Sequence, residues 1–339
     1  MNTNQRNRWL AAAGLGALLL ARTAWRRANA FSFANRTVLI TGGSRGLGLV
    51  LARQLADEGA RLAICARDEA ELARAAAEVR GIGAEVLPVV CDVTVQAEVE
   101  AMIAQVQAQM GPVDVLINNA GIISAGPVEE MLLDDYERAM KTHFYAPLYT
   151  LLALTPQMQR RGEGRIVNIS SVGGRVALPH MAPYSASKFA LVGLSQALRA
   201  ELKKDKVVVT TVCPGLLRTG SHLHAEMKGQ HKKEFAAFSI LGALPLISMG
   251  AEHAARAIIN ACRYGDAEIT LTLPAKLMGA LHGVAPGLMA NLLGYLNFLL
   301  PGPGGIGTAT AVGAENFSEL SPSAITSSID SAAERNNEV

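Results

Sequence analysis

Residues 37–48 read TVLITGGSRGLG: a β-branched run, then glycines, then the start of an apolar-periodic stretch. A strand that runs into glycines and then into a helix lets backbone N–H groups approach a pyrophosphate, and the helix dipole favours the negative charge there. The glycines Gly42, Gly46 and Gly48 do not follow the GxGxxG spacing of the usual dinucleotide fingerprint. The segments that follow therefore carry much of the argument. They are Asn118-Asn119-Ala120-Gly121 after VDVLI, NISS (residues 168–171) after RIV, Tyr184-Ser185-Ala186-Ser187-Lys188, and Cys213-Pro214-Gly215.

From residue 37 to residue 273 strand and helix patterns alternate, which is the signature of a parallel sheet with helices on both faces. The expected strands are residues 37–41, 61–65, 85–91, 113–118, 165–170, 207–213 and 268–273. Their near-continuous Val/Ile/Leu content suits strands buried on both sides. The expected fold is a doubly wound α/β sheet of seven mostly parallel strands, with apolar extensions at either end. Between Thr219 and Pro245 the pattern lapses into a polar stretch with His222, His224 and His231, followed by FSILGALPL. In such a sheet this connection lies above the carboxyl ends of the strands, so it reads as a substrate lid. The three histidines lack a companion acid or thiol at ligand spacing and read as surface or substrate-facing, with no metal site expected.

Composition narrows the function classes. The 339 residues are 50% hydrophobic and 18% charged, oilier than an ordinary soluble enzyme, which points to a membrane or a greasy interface. The formal net charge of +2 gives no electrostatic reason to expect nucleic acid. Cys65, Cys91, Cys213 and Cys262 are far apart and read as reduced core residues. Residues 1–34 form a basic-flanked apolar segment in which 9–21 (WLAAAGLGALLLA) reads as a short membrane anchor. An organelle transit peptide is the second reading, and a secretory signal is disfavoured by the arginines that follow the apolar run. Those arginines outnumber the ones before it, which places the following domain on the cytoplasmic side. A cytoplasmic or an organellar location is the alternative. Residues 35–273 are the expected Rossmann domain. Residues 274–312 are an apolar extension whose stripe of Leu288, Leu292, Leu296 and Leu299 suits either core packing, a subunit contact or a membrane interface. Residues 313–339, rich in Ser, Asn, Glu and Ala, read as a disordered tail.

In order, spacing and strand context the five glycine, asparagine, serine, tyrosine-lysine and proline-glycine segments resemble the classical short-chain dehydrogenase/reductase family. The resemblance implies an oxidoreductase that interconverts a carbonyl and a secondary alcohol, and here an apolar, lipid-like substrate is expected. The alternative is a nucleotide-binding regulatory or scaffold protein with little turnover. At the end of the second strand, Ala66 stands where the family places an NAD-selecting acid, and Arg67 follows it. With Arg45 in the glycine loop, two guanidiniums and no acid suit the 2′-phosphate of NADP(H).

The implied cofactor-binding residues are Gly42, Ser44, Arg45, Gly46, Leu47, Gly48, Arg67, Asp92 and Val93, with Asn119, Ala120, Gly121, Tyr184, Lys188, Pro214, Gly215 and Thr219. The implied catalytic residues are Ser171, Tyr184, Lys188 and His143. Tyr184 and Lys188 are one helical turn apart, so an ammonium beside the phenol is expected to lower the phenol pKa for acid/base work. Ser171, rather than Ser170, matches the serine that holds the substrate oxygen. His143 stands where the family has an asparagine that supports a proton-relaying water. It either replaces the relay or fills a helix kink as a core residue. The family's usual assembly implies a homo-oligomer, and a membrane surface is the further partner.

Overall fold

The computed structural model describes residues 30–318 and 321–339, together with isolated positions 5, 9, 24, 26 and 28. The expected anchor at residues 9–21, apart from Trp9, lies outside the described residues.

Seven strands form one parallel sheet: β1 (Thr37–Thr41), β2 (Arg61–Ala66), β3 (Val86–Val90), β4 (Val115–Asn118), β5 (Gly164–Ile169), β6 (Val207–Pro214) and β7 (Glu268–Leu271). Their spatial order is β7-β6-β5-β4-β1-β2-β3, and every pairing is parallel. The chain runs outward from β1 to β3, then returns to the other side of β1 with β4. That reversal opens a crevice at the carboxyl ends of β1 and β4, where doubly wound sheets bind ligands.

Alternation along the strands feeds two cores. In β1, Val38 and Ile40 join the layer built with Leu49 and Leu51 of α1 (Gly46–Asp57) and Ile258 of α8 (Ala251–Tyr264). Leu39 points the other way, towards Val99 and Val106 of α3 (Gln96–Met110) and Leu154 of α5 (Ala146–Arg161). The remaining helices of the domain are α2 (Glu69–Gly81), α4 (Leu133–Met140), α6 (Ala182–Leu202) and α7 (His231–Ala243). Between α4 and α5 the helix widens into a π turn at Lys141–Tyr145, which holds His143. All four cysteines are buried and free.

The lid contains a 3-10 turn at Ser221–His224, the short strand Glu226–Met227, and α7. Its strand pairs with Ser124–Ala125 on one side and with Ala311–Val312, from the apolar extension, on the other. The extension itself forms α9 (Leu273–Val284) and α10 (Pro286–Asn297), in which Ala275 and Met289 are the buried residues. Leu277, Val284, Leu288, Leu292, Leu296, Phe298 and Leu299 are exposed.

The reading of residues 313–339 as a disordered tail is corrected. Residues Ser327–Arg335 form helix α11, with Ile329, Ala332 and Ala333 buried. These three stand at i, i+3 and i+4, a single helical face, and polar neighbours hide so short a stripe in the sequence.

Candidate active site

The end of β1 and the start of α1 are held to the turn after β4 by a closed set of bonds. The Thr41 hydroxyl accepts from the backbone N–H groups of Asn119 (3.0 Å) and Ala120 (3.1 Å). The Asn119 amide donates back to the carbonyls of Thr41 and Gly42. Glycine is required in the loop by contact as well as by conformation. Gly42 has φ +64°, and a Cβ on Gly48 would stand 2.0 Å from the Gly42 carbonyl oxygen.

The loop suits an anionic diphosphate on three grounds internal to the chain. Its glycines carry no side chain to bar approach to the backbone, α1 has no acidic residue in its first turn, and the Glu338 carboxylate already rests against Gly46. Of the other residues named for the cofactor, Ser44 and Val93 are buried, Leu47 is half-buried and Arg67 is exposed. Arg45 is not free: its guanidinium pairs with Glu71 at 2.7 Å, and the Ser44 hydroxyl donates to the same carboxylate. Glu71 lies on α2 and had no motif to reveal it. Asp92 closes a tight turn by accepting from the Thr94 N–H and hydroxyl through one carboxylate oxygen. Gly215 packs so tightly that a Cβ would meet the Thr272 hydroxyl at 2.3 Å, which explains the glycine after Pro214. Thr219 is buried, and its carbonyl accepts from the Asn336 amide.

Ser171, Tyr184 and Lys188 come together beyond the end of β5. The Tyr184 ring and the Ser171 hydroxyl flank the same glycine: a Cβ on Gly173 would be 3.2 Å from Tyr184 Cε1 and 3.5 Å from Ser171 Oγ. Ser171 Oγ accepts from the Gly173 N–H, whereas Ser170 donates to the Lys188 carbonyl. Ser170 is thereby committed to holding α6. Lys188 Nζ lies 5.7 Å from the centroid of the Tyr184 ring and donates to the Ile169 carbonyl at 3.0 Å.

Electrostatics here differ from expectation. Burial pulls the Lys188 ammonium down to about 8 from its ordinary 10.5. The Tyr184 phenol is raised, because the protein packed around it disfavours the phenolate more than the Ser171 hydroxyl favours it. The lysine stands over the ring and does not depress the phenol in this structure, so the expected lowering is corrected.

His143 is buried, with both ring nitrogens committed. Nε2 accepts from the Ile122 N–H (3.1 Å), so Nδ1 carries the hydrogen and donates to Ser187 Oγ at 2.8 Å. Ser187 in turn donates to the Tyr184 carbonyl. The ring stands edge-on to Tyr184 with centroids 5.3 Å apart. Burial first, and the nearby Lys188 charge second, hold the His143 pKa well below 6.5. Ser187 sits inside the motif segment, but its role follows from His143, which the spacing alone did not reveal.

Deeper in the sheet, a buried polar ladder crosses β4, β5 and β6. Thr150 donates to Asn118, Asn118 to Asn168, and Asn168 to Ser195, which also receives the Thr211 hydroxyl. Each buried amide is satisfied, and the strand ends that carry Asn119 and Ser171 are thereby held in register. A cavity of about 210 Å³ lined by Val172, Arg175, Glu268 and Lys276 includes none of the four implied catalytic residues.

Each lid histidine has a partner: His222 is buried, whereas His224 and His231 are partly exposed. His222 pairs with Asp330, His224 with Glu338, and His231 with Asn316, all from the C-terminal segment. His180, which has φ +60°, pairs with Glu234 of α7 at 2.7 Å and ties the lid helix to the turn before Tyr184.

The family model described as short chain dehydrogenase matches residues 36–228. Ketoacyl reductase HetN of Nostoc sp. (strain PCC 7120) is 38% identical over 184 residues, covering 54% of this chain and 64% of that one. A gluconate 5-dehydrogenase from Burkholderia cenocepacia J2315, solved in complex with NADP and tartrate, superposes with a TM-score of 0.65 at 29% identity, covering 74% of this chain and 98% of its own. The F189W actinorhodin polyketide ketoreductase, solved with NADPH, gives a TM-score of 0.63 at 31% identity over 72% of this chain and 97% of its own.

Proposed function

This chain belongs to the short chain dehydrogenase family, and on that premise we propose that it is an NADP(H)-dependent oxidoreductase that interconverts a carbonyl and a secondary alcohol on an apolar substrate. The observation that carries this reading is the convergence of Ser171, Tyr184 and Lys188, with Lys188 Nζ 3.7 Å from where a Cβ on Gly121 would stand, in the turn that packs on the glycine loop. Bound NADP(H) supplies or accepts the hydride. Gly42, Gly46, Leu47 and Gly48 would hold its phosphates, Arg45 and Arg67 the adenosine phosphate, and Asn119, Ala120 and Gly121 the opposite wall.

Tyr184 acts as the general acid in reduction. A raised phenol pKa keeps the proton on the oxygen at neutral pH, ready for transfer to the substrate carbonyl. Lys188, still largely protonated at pH 7, would hold the nicotinamide ribose beside Tyr184. Ser171 holds the substrate oxygen. His143 is a positioning residue: through Ser187 it fixes the first turn of α6, and its nitrogens have no spare proton to relay.

An apolar substrate is supported by Ile123, Met181, Leu223 and Phe238, partly buried around the core of the lid. The NADP- and NADPH-bound neighbours support the cofactor. The exposed leucines of α9 and α10 support contact with the cytoplasmic face of a membrane, reinforced by the N-terminal anchor. Among the described residues, no helix is long and apolar enough to cross a membrane. In this scheme residues 35–273 are the catalytic domain, 274–312 the interfacial extension, and the working form is a homo-oligomer.

The test is Tyr184→Phe. Turnover of an apolar ketone with NADPH should fall ~10²–10⁴-fold while the NADPH dissociation constant stays within about twofold. Turnover near that of the unaltered protein would remove Tyr184 from the chemistry.

A further inference from the structure

The C-terminal segment lies across the glycine loop. Asn336 accepts from the Gly46 N–H through its carbonyl (2.9 Å) and donates its side-chain amide to the Thr219 carbonyl. Asn337 donates to the carbonyls of Ser44 (2.8 Å) and Glu71 (3.1 Å) and accepts from Arg74. Glu338 places Oε2 3.4 Å from Arg45 Nε and 3.1 Å from His224 Nε2. Arg53 of α1 closes the arrangement through the Arg335 carbonyl and the Asn336 side chain. Asn336 is fully buried, and Ala333 packs so closely on Gly220 that a Cβ there would approach its Cα to 2.3 Å. Ser44, Arg45, Gly46 and Thr219, four of the residues that the family resemblance implies in cofactor binding, are thus each in contact with the tail.

An anion of the chain itself stands where the loop and the dipole of α1 would draw a phosphate. Glu338 Oε1 is 2.5 Å from the point where a Gly46 Cβ would lie, so no phosphate can approach Gly46 while the carboxylate is there. The carboxylate is also poorly served. Its buried Oε2 has no properly directed hydrogen-bond donor, a cost that a phosphate bonded to the loop amides would not bear.

We propose that residues 327–339 form an intramolecular plug that competes with the dinucleotide for the phosphate cradle, so that the cofactor binds only when the tail leaves. This inference rests on the cofactor reading above. The plug also holds the lid: Asp330 pairs with His222, Glu338 with His224, and Ser328 donates to the last carbonyl of α7. Departure of the tail removes those contacts together and loosens the lid over the substrate crevice.

The test compares three full-domain proteins: the intact chain, the chain ended after Arg335, and Glu338→Gln. The dissociation constant of NADPH is measured by titration calorimetry at one salt concentration. A tail docked in nine molecules out of ten weakens apparent binding about tenfold, so the shortened chain should bind about tenfold or more tightly than the intact one, with Glu338→Gln between them. Hydrogen exchange gives a second readout. NADPH, and separately inorganic pyrophosphate, should raise exchange over 329–338 of the intact chain, as expelled residues lose protection. If the shortened chain misfolds, Glu338→Gln and the exchange measurement decide. Equal dissociation constants with unchanged exchange overturn the plug, and weaker binding by the shortened chain overturns it in favour of a clamp. Failure of every form to bind NADPH overturns the cofactor reading itself, and the plug with it.

Discussion

Replacing His143 with asparagine tests the tautomer assignment through stability. In the folded chain Nε2 already accepts from the Ile122 N–H, so a second proton there would confront that donor, inside the core and near Lys188. The folded pKa is therefore well below 6.5, while in the unfolded chain the imidazole titrates near its ordinary value. As pH falls through 6.5 the unfolded chain takes up a proton that the folded chain refuses. Stability is thus complete above 6.5 and declines below it, by about 1.4 kcal/mol per pH unit until the folded form is also protonated. Asparagine lacks this titration. It can keep one of the two hydrogen bonds, so the variant should be less stable at pH 7.5 by roughly 1–2 kcal/mol for the lost bond and the smaller volume. Urea unfolding at pH 7.5 and pH 5.5, with m unchanged, should show the gap narrowing by about 1.4 kcal/mol at the lower pH. Carboxylates and His222 titrate in both proteins and largely cancel in the difference. A gap that is constant or wider at pH 5.5 would mean that His143 is charged in the folded protein, and the hydrogen-bond assignment would fail.

Lys188→Met should abolish turnover yet stabilise the fold. A folded pKa of about 8 against 10.5 corresponds to a burial cost of about 3 kcal/mol at pH 7, and subtracting about 1 for the lost bond to the Ile169 carbonyl leaves a gain of about 2. The cost of the lysine disappears as pH rises from about 8 to 10.5, so the advantage should be gone in unfolding measurements near the upper limit; a methionine variant less stable at pH 7 would contradict the burial argument. Changing Leu288, Leu292 and Leu296 together to glutamine should leave the melting temperature nearly unchanged, since all three are exposed, and should lower co-flotation with anionic liposomes. Undiminished flotation would assign membrane contact to another part of the chain.

The central sheet was legible because its signals are local. Strand runs such as TVLI, the glycine spacing at Gly42, Gly46 and Gly48, and the four-residue step from Tyr184 to Lys188 each reflect backbone geometry over a few residues. The reversal of strand order at β1 and β4 follows from the same alternation and brings the Asn119 turn to the loop. What composition misjudged was the C-terminal tail. A face of only Ile329, Ala332 and Ala333 is too small to reveal a helix among Ser, Asn and Glu, and gains its stability by packing against residues already folded. The single tautomer of His143 and the pairing of Arg45 with Glu71 are likewise tertiary facts, since each depends on which atom a distant element presents. Sequence by itself determined the sheet, the loop and the helix that carries Tyr184 and Lys188, because short-range periodicity and the steric demands of glycine specify them. Only the tertiary structure decided that Asn337 reaches the Ser44 carbonyl, 293 residues back along the chain, because no local pattern encodes where a chain end will find its complement.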